Sequence, residues 1–186
     1  IESVVWISDL RNFTRMSDEF APPVMLGILN DHFERVVGAI ADHGGEVLKF
    51  MGDSVLAIFP VDPGLGPQPA VDAAIKAVRD ATTRIEKGNA ARREKGLVEI
   101  GFGIALHHGN VVYGNIGAPD RLDFTVIGPA VNQTARIEAL CRTLSRPVLV
   151  SQRIADAAQS ELVSLGFQAL RGVREPQEIF TLPEYA

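Results

Sequence analysis

The chain has 186 residues, enough for one α/β domain with a sizeable core and not enough to require a second. Its 46% hydrophobic and 22% charged fractions are those of a globular protein and exclude disordered or fibrous architectures. A net charge of -5 argues against broad nucleic-acid binding, which runs on clustered Lys and Arg, yet a few local cations can still hold a nucleotide-sized anion.

No apolar run approaches the length of a bilayer span, so no membrane contact is expected of this segment. The chain opens at Ile1, without a methionine, and enters a strand-like run at once, which suggests a domain excised from a longer, regulated protein. The single cysteine, Cys141, cannot form an internal disulfide and reads as a small buried hydrophobe. That agrees with a reducing, cytoplasmic setting for the domain, even where the whole protein is membrane-anchored.

In chain order, Ser3 to Ser8 is a short apolar run ending at Asp9 and predicts a buried strand. DLRNFT follows as a turn. From Pro22 to His43 the residues Leu26, Leu29, Phe33, Val36, Val37 and Ile40 recur at helical spacing, and Gly44-Gly45 stops the helix. Glu46 to Phe50 and Ser54 to Phe59 flank Met51-Gly52-Asp53 and predict a hairpin. Ala70, Ala73, Ala74, Ala77, Val78, Ala81 and Ile85 mark a second amphipathic helix that decays into the charged stretch Glu86 to Gly96. Val98 to Leu106 and Val111 to Ile116 read as another pair of strands, and Phe124 to Ile127 as one more. Gly128-Pro129 leads into a helix over Val131 to Leu140, with proline suited to its first turn. Strands near Pro147 to Val150 and Ile179 to Leu182, with a short helix after Ser151, complete the pattern.

Strand, helix, strand, strand, helix, strand is a ferredoxin-like (βαββαβ) α+β order, here with additional strands and helices toward the C-terminus. It has a geometric consequence: the first helix returns the chain to the bottom of the sheet, so Asp9 and the hairpin tip with Asp53 share one edge. Two carboxylates at neighbouring strand ends suit a hard cation such as Mg²⁺, completed by substrate phosphates. Two ions about 3.5–4 Å apart would clamp the attacking and leaving oxygens of a phosphoryl transfer. Taken singly, each Asp is more often a plain turn residue. The loop Leu10 to Thr14 can turn main-chain N–H groups, such as those of Phe13 and Thr14, toward a triphosphate, although it is not a Walker loop. Asn132 and Arg136, four residues apart, are neighbours on one helix face and can grip ribose and phosphate.

DLRNFT, LKFMGDSVLAIF and TVIGPAVNQTAR stand in the order and at the spacing of the three signature blocks of class III nucleotidyl cyclases. The chain resembles that family's catalytic domain, the cyclase homology domain, over nearly its whole length. The resemblance implies Asp9 and Asp53, with the main chain at Leu10, as ligands of two divalent cations, Mg²⁺ or Mn²⁺. It implies Lys49 and Thr125 as the base-reading pair and Asn132 and Arg136 as the transition-state pair. A donating Lys49 and an accepting Thr125 hydroxyl suit N1 and the N6 amino group of adenine, so ATP is the implied substrate and cyclic AMP with pyrophosphate the products. Relatives making cyclic GMP place Glu and Cys at these two positions.

The family's active sites form between two catalytic domains, and this chain holds both residue sets, so a homodimer is implied. The pattern departs from the family at Asn12, where glycine is usual, and at Thr125, where many relatives have Asp. A further phosphate-binding cation near the C-terminus falls on Arg174 or on Arg171. The histidines at 32, 43, 107 and 108 lack the Cys partners and spacing of a zinc site and read as structural. The rival readings are a nucleotide-binding regulatory and dimerisation module without turnover, and a diguanylate cyclase, whose GG[DE]EF hairpin is missing here.

Overall fold

The computed structural model describes residues 1–186. Its elements are β1 (Glu2–Leu10), α1 (Phe13–Glu19), α2 (Pro22–Asp42), β2 (Glu46–Met51), β3 (Ser54–Pro60), α3 (Gln68–Glu94) and β4 (Phe102–Asn110). β5 (Val112–Ala118), β6 (Arg121–Ile127), α4 (Pro129–Thr143), β7 (Val148–Ser151), α5 (Gln152–Ala157), β8 (Val163–Gln168) and β9 (Gln177–Thr181) follow.

Seven strands form one sheet in the order β2-β3-β1-β4-β7-β9-β8. Its first four reproduce the ferredoxin-like arrangement: β1 lies antiparallel to both β3 and β4, and β2 antiparallel to β3. β7 extends the sheet parallel to β4, as the helical crossover through α4 requires. The alternation of β1 sorts its side chains to two faces. Val4 and Trp6 join Val55, Ala57, Ile104 and Leu106 under α2 and α3, in the largest apolar cluster. Val5 and Ile7 pack with Leu56, Ile58, Val111, Val126 and Ala130 on the other face, beneath the β5–β6 hairpin and the start of α4. No helix is long and apolar enough to cross a membrane.

Five expectations change. β5 does not pair with β4, because β1 and β7 occupy both of that strand's edges; β5 leaves the sheet and forms a separate two-stranded ladder with β6. Residues 98–101 precede the strand β4 rather than open it. The charged stretch after Ile85 stays helical to Glu94, carried by surface pairs such as Arg93 with Glu86. DLRNFT is only half a turn, since α1 begins at Phe13. In α2 the buried face is Met25, Ile28, His32, Val36, Ala39 and Ile40, while Leu26 is 59% exposed. β8 was not legible as a strand: it pairs with β9 alone, with a register shift between Ser164 and Phe167 and Gly166 at φ +81°.

Candidate active site

β1 ends at the edge of the sheet where the β2–β3 hairpin turns, and Met51 faces Ser54 across that turn. Gly52 takes φ +62° there, a backbone that favours glycine. The turn delivers Asp53 to the end of β1, where its Oδ2 accepts a hydrogen bond of 3.0 Å from the Leu10 N–H. Asp9 and Asp53 therefore share one edge, as the strand order predicts, and both line one cavity with Leu10, Asn12, Phe13 and Thr14. Asn12 sits at φ 59° and ψ 27°, in the left-handed region, directly before α1. Asparagine is among the few residues that tolerate this conformation, so the chain can take this turn without a glycine.

Two side chains at this edge escaped the sequence reading. Arg142, from α4, lines the same cavity and brings a cation to the edge that carries Asp9 and Asp53. Glu138, one helical turn earlier, hydrogen-bonds the Asp9 carboxyl and lines a neighbouring pocket with Asp9, Arg11 and Arg142. Gly103 on β4 makes room for it, since a Cβ there would lie 2.9 Å from Glu138 Oε1. Burial, then the hydrogen bond and charge of Asp9, push Glu138 up to about 8. Burial also raises Asp9, and the negative charge of Asp53 adds to it. The signal was available: Glu138 and Arg142 are four apart on a helix that also carries Asn132 and Arg136, but they project from a different side of it.

These oxygens fit a hard divalent cation. Asp9 and Asp53 line one cavity, and Asp9 is raised by burial and then by its neighbour's charge, an imbalance that a cation relieves. No group of three or more His, Cys, Asp or Glu side chains is arranged to hold a metal, so main-chain oxygens, water and phosphate would complete the shell. Three of the four histidines have other partners: His43 lies 3.1 Å from Asp80, His107 2.8 Å from Ser151, and His108 meets Glu2.

The second residue set lies elsewhere. Lys49 on β2 places its Nζ 3.6 Å from Asp123 Oδ2, two residues along β6 from Thr125. Tyr113, on β5 beside β6, ties that hairpin to β2 by donating its hydroxyl to Glu46 at 2.6 Å. The Thr125 hydroxyl is buried and has no hydrogen-bond partner in the protein. Asn132 is exposed at the start of α4, and Arg136 rests against the turn at Gly172, between Arg171 and Arg174, both exposed. None of Lys49, Thr125, Asn132, Arg136, Arg171 or Arg174 lines the cavity that holds Asp9 and Asp53.

The model of the adenylate and guanylate cyclase catalytic domain family matches residues 2–183. An adenylate cyclase of Anabaena cylindrica is 34% identical over 150 residues, which cover 78% of this chain and 28% of that protein. The chain thus spans well under half of that relative. Among solved structures, the adenylyl cyclase CyaB from P. aeruginosa superposes with a TM-score of 0.85 at 25% identity, covering 96% of this chain and 92% of the other. The guanylyl cyclase Cya2 gives a TM-score of 0.83 at 28% identity, with 97% and 90% covered.

Proposed function

The chain belongs to the adenylate and guanylate cyclase catalytic domain family, and from that premise we propose that it is an adenylate cyclase whose sites lie between two copies. ATP is converted to 3′,5′-cyclic AMP and pyrophosphate. The observation that carries the choice of base is the unpartnered Thr125 hydroxyl, buried on the strand whose Asp123 meets Lys49. Leaving a buried hydroxyl unpaired costs about 1–3 kcal/mol, which an adenine amino group would recover while Lys49 donates to N1. Guanine presents a donor at N1 and an acceptor at O6, the reverse order.

Asp9, Asp53 and the Leu10 carbonyl would hold two divalent cations, which when bound would supply acidification of the ribose 3′ hydroxyl and charge neutralisation of the triphosphate. The N–H groups of Phe13 and Thr14 lack intrahelical acceptors and face the phosphates, and Arg142 adds charge from the same chain. The partner copy's Asn132 orients the ribose, its Arg136 stabilises charge on the α-phosphate, and its Arg171 or Arg174 meets the polyphosphate. The 3′ oxygen bonds to the α-phosphorus as the bond to the bridging oxygen breaks, and the hydroxyl proton leaves to solvent.

The division of residues between two places in one chain supports sites shared by a dimer. So do the exposed side chains Phe50, Met51, Leu122, Phe124 and Ile127, which flank Lys49 and Thr125 on β2 and β6. Incubation with ATP and with GTP, with Mg²⁺ or Mn²⁺, tests the reading by product identity. Cyclic AMP is the expected main product; cyclic GMP would overturn the base assignment, and no turnover of either would leave a regulatory module.

A further inference from the structure

α2 and α3 meet along matching rows, Ile28, Asp31, His32 and Arg35 on one helix and Ile85, Gly88, Asn89 and Arg92 on the other, with Ile100 closing the end. The rows enclose a cavity of about 40 Å³, away from the carboxylates of the active site. By volume it has room for roughly three waters or one small ion. His32 is 2% exposed and its Nε2 has no hydrogen-bond partner in the protein. Burial, then the charge of Arg35, hold this ring down to about 4, so it is neutral at physiological pH and one of its nitrogens carries a proton to donate.

Arg35 lies flat against Gly88: a Cβ there would come within 2.6 Å of Cζ and 2.7 Å of Nη2. The glycine therefore exists at the one position where α3 must let this guanidinium in. No ion pair joins Arg35 to a carboxylate, Asp31 at the rim included, while the neighbouring Arg92 spends its Nε on the Val98 carbonyl. Two guanidiniums against one carboxylate leave the lining net positive. Asn89 contributes no free group, because its amide exchanges two hydrogen bonds with the Ile100 main chain, at 2.9 and 2.7 Å.

We propose that this cavity is a binding site for a small planar oxyanion, with the Arg35 guanidinium as its charge partner and His32 Nε2 as its buried donor. A guanidinium fork matches a planar pair of oxygens in a way that a spherical halide does not, and the volume excludes a nucleotide. The site lies beneath the catalytic loop. Ile28 and Ile100 pack in one cluster with Leu10 and Met16, and the Gly101 carbonyl accepts the Arg11 N–H at 2.9 Å. An anion that fixes Arg35 and His32 therefore also steadies the segment on which Asp9 and the phosphate loop rest.

The test is a titration of the domain, free of nucleotide and metal, with sodium formate against sodium chloride at equal ionic strength. The readout is the ring resonances of ¹⁵N-labelled histidine together with the melting temperature. Formate is expected to shift the His32 signals saturably and to raise the melting temperature, with chloride doing neither. Arg35→Gln and Gly88→Ala should each abolish the response; alanine is favoured in a helix, so the second variant blocks the cavity without threatening α3. Arg142→Gln, which removes a cation from the active-site groove, should leave the response intact. Absence of a saturable His32 shift in the unaltered domain, or its survival in Arg35→Gln, would overturn the site.

Discussion

Asp9, Asp53 and Glu138 bring three carboxyl groups to one edge of the sheet, and their roles separate by contact. Asp53 is fixed by the Leu10 N–H, Asp9 faces both other carboxyls, and Glu138 is held by burial and by Asp9. Asp9→Asn and Asp53→Asn should each leave a folded protein but lower metal-dependent turnover by roughly a hundredfold or more, the scale of a lost electrostatic stabiliser. Steady-state rates at saturating Mg²⁺ check this, and near-normal rates in either variant would refute the metal assignment. Lys49→Glu with Thr125→Cys should collapse the preference for ATP over GTP, since each mismatched group that the bound base covers costs about 1–3 kcal/mol. Competition between the two nucleotides measures it; unchanged selectivity in an active variant would rule out these positions as the base readers. His107 supplies a pH dependence. Burial first, then Arg153 and His108, hold the folded ring down to about 4 from 6.5. Below pH 6.5 the unfolded chain takes up a proton that the folded ring refuses, so stability falls as pH drops from 6.5 toward 4. The loss reaches about 3 kcal/mol for this group. Urea melts across that window should be steep for the parent and flatter for His107→Gln.

At the scale of elements, the junction of α2 with β2 sets where the hairpin bearing Asp53 begins. Gly45 has no room for a side chain there: a Cβ would lie 2.6 Å from both Ile40 Cγ2 and Phe59 Cζ. Gly45→Ala should cost about 1–3 kcal/mol, read from the urea midpoint, because neither neighbour can leave the core. This corner also shows what the sequence could reveal. The order of strands and helices was enough to put Asp9 and Asp53 on one edge, because each connection reverses the chain. The side of α2 that faces inward was not, because that helix carries apolar residues on more than one side. Periodicity marks a helix without giving its rotation; packing on Leu10, Met16 and Ile100 selected Met25 and Ile28, and the approach of α3 selected His32, over Leu26. The partner of β5 was likewise hidden, since an apolar run does not tell which sheet edges are already taken. Glu138 and Arg142 had helical spacing, but only the packing of α4 across β1 and β4 turns them toward Asp9.

For the whole molecule, the proposed site residues fall into two separate sets in one chain. Asp9, Asp53, the segment at residues 12–14 and Arg142 share one cavity, whereas Lys49, Thr125, Asn132 and Arg136 lie outside it. α4 connects the two, with Glu138 against Asp9 of its own chain and Asn132 and Arg136 on other faces of the helix. A two-fold pairing that joins each carboxylate edge to its neighbour's second set would make two equivalent sites. The most direct measurement mixes Asp53→Asn with Arg136→Ala, each inactive alone because every site lacks either a metal ligand or its transition-state cation. In a heterodimer both lesions fall in one site and the other is intact. With random exchange about half of the dimers are mixed, so activity should recover to about a quarter of the unaltered protein's. Persistent inactivity, with heterodimers confirmed by native mass spectrometry, would contradict the shared site and place the whole reaction within one chain.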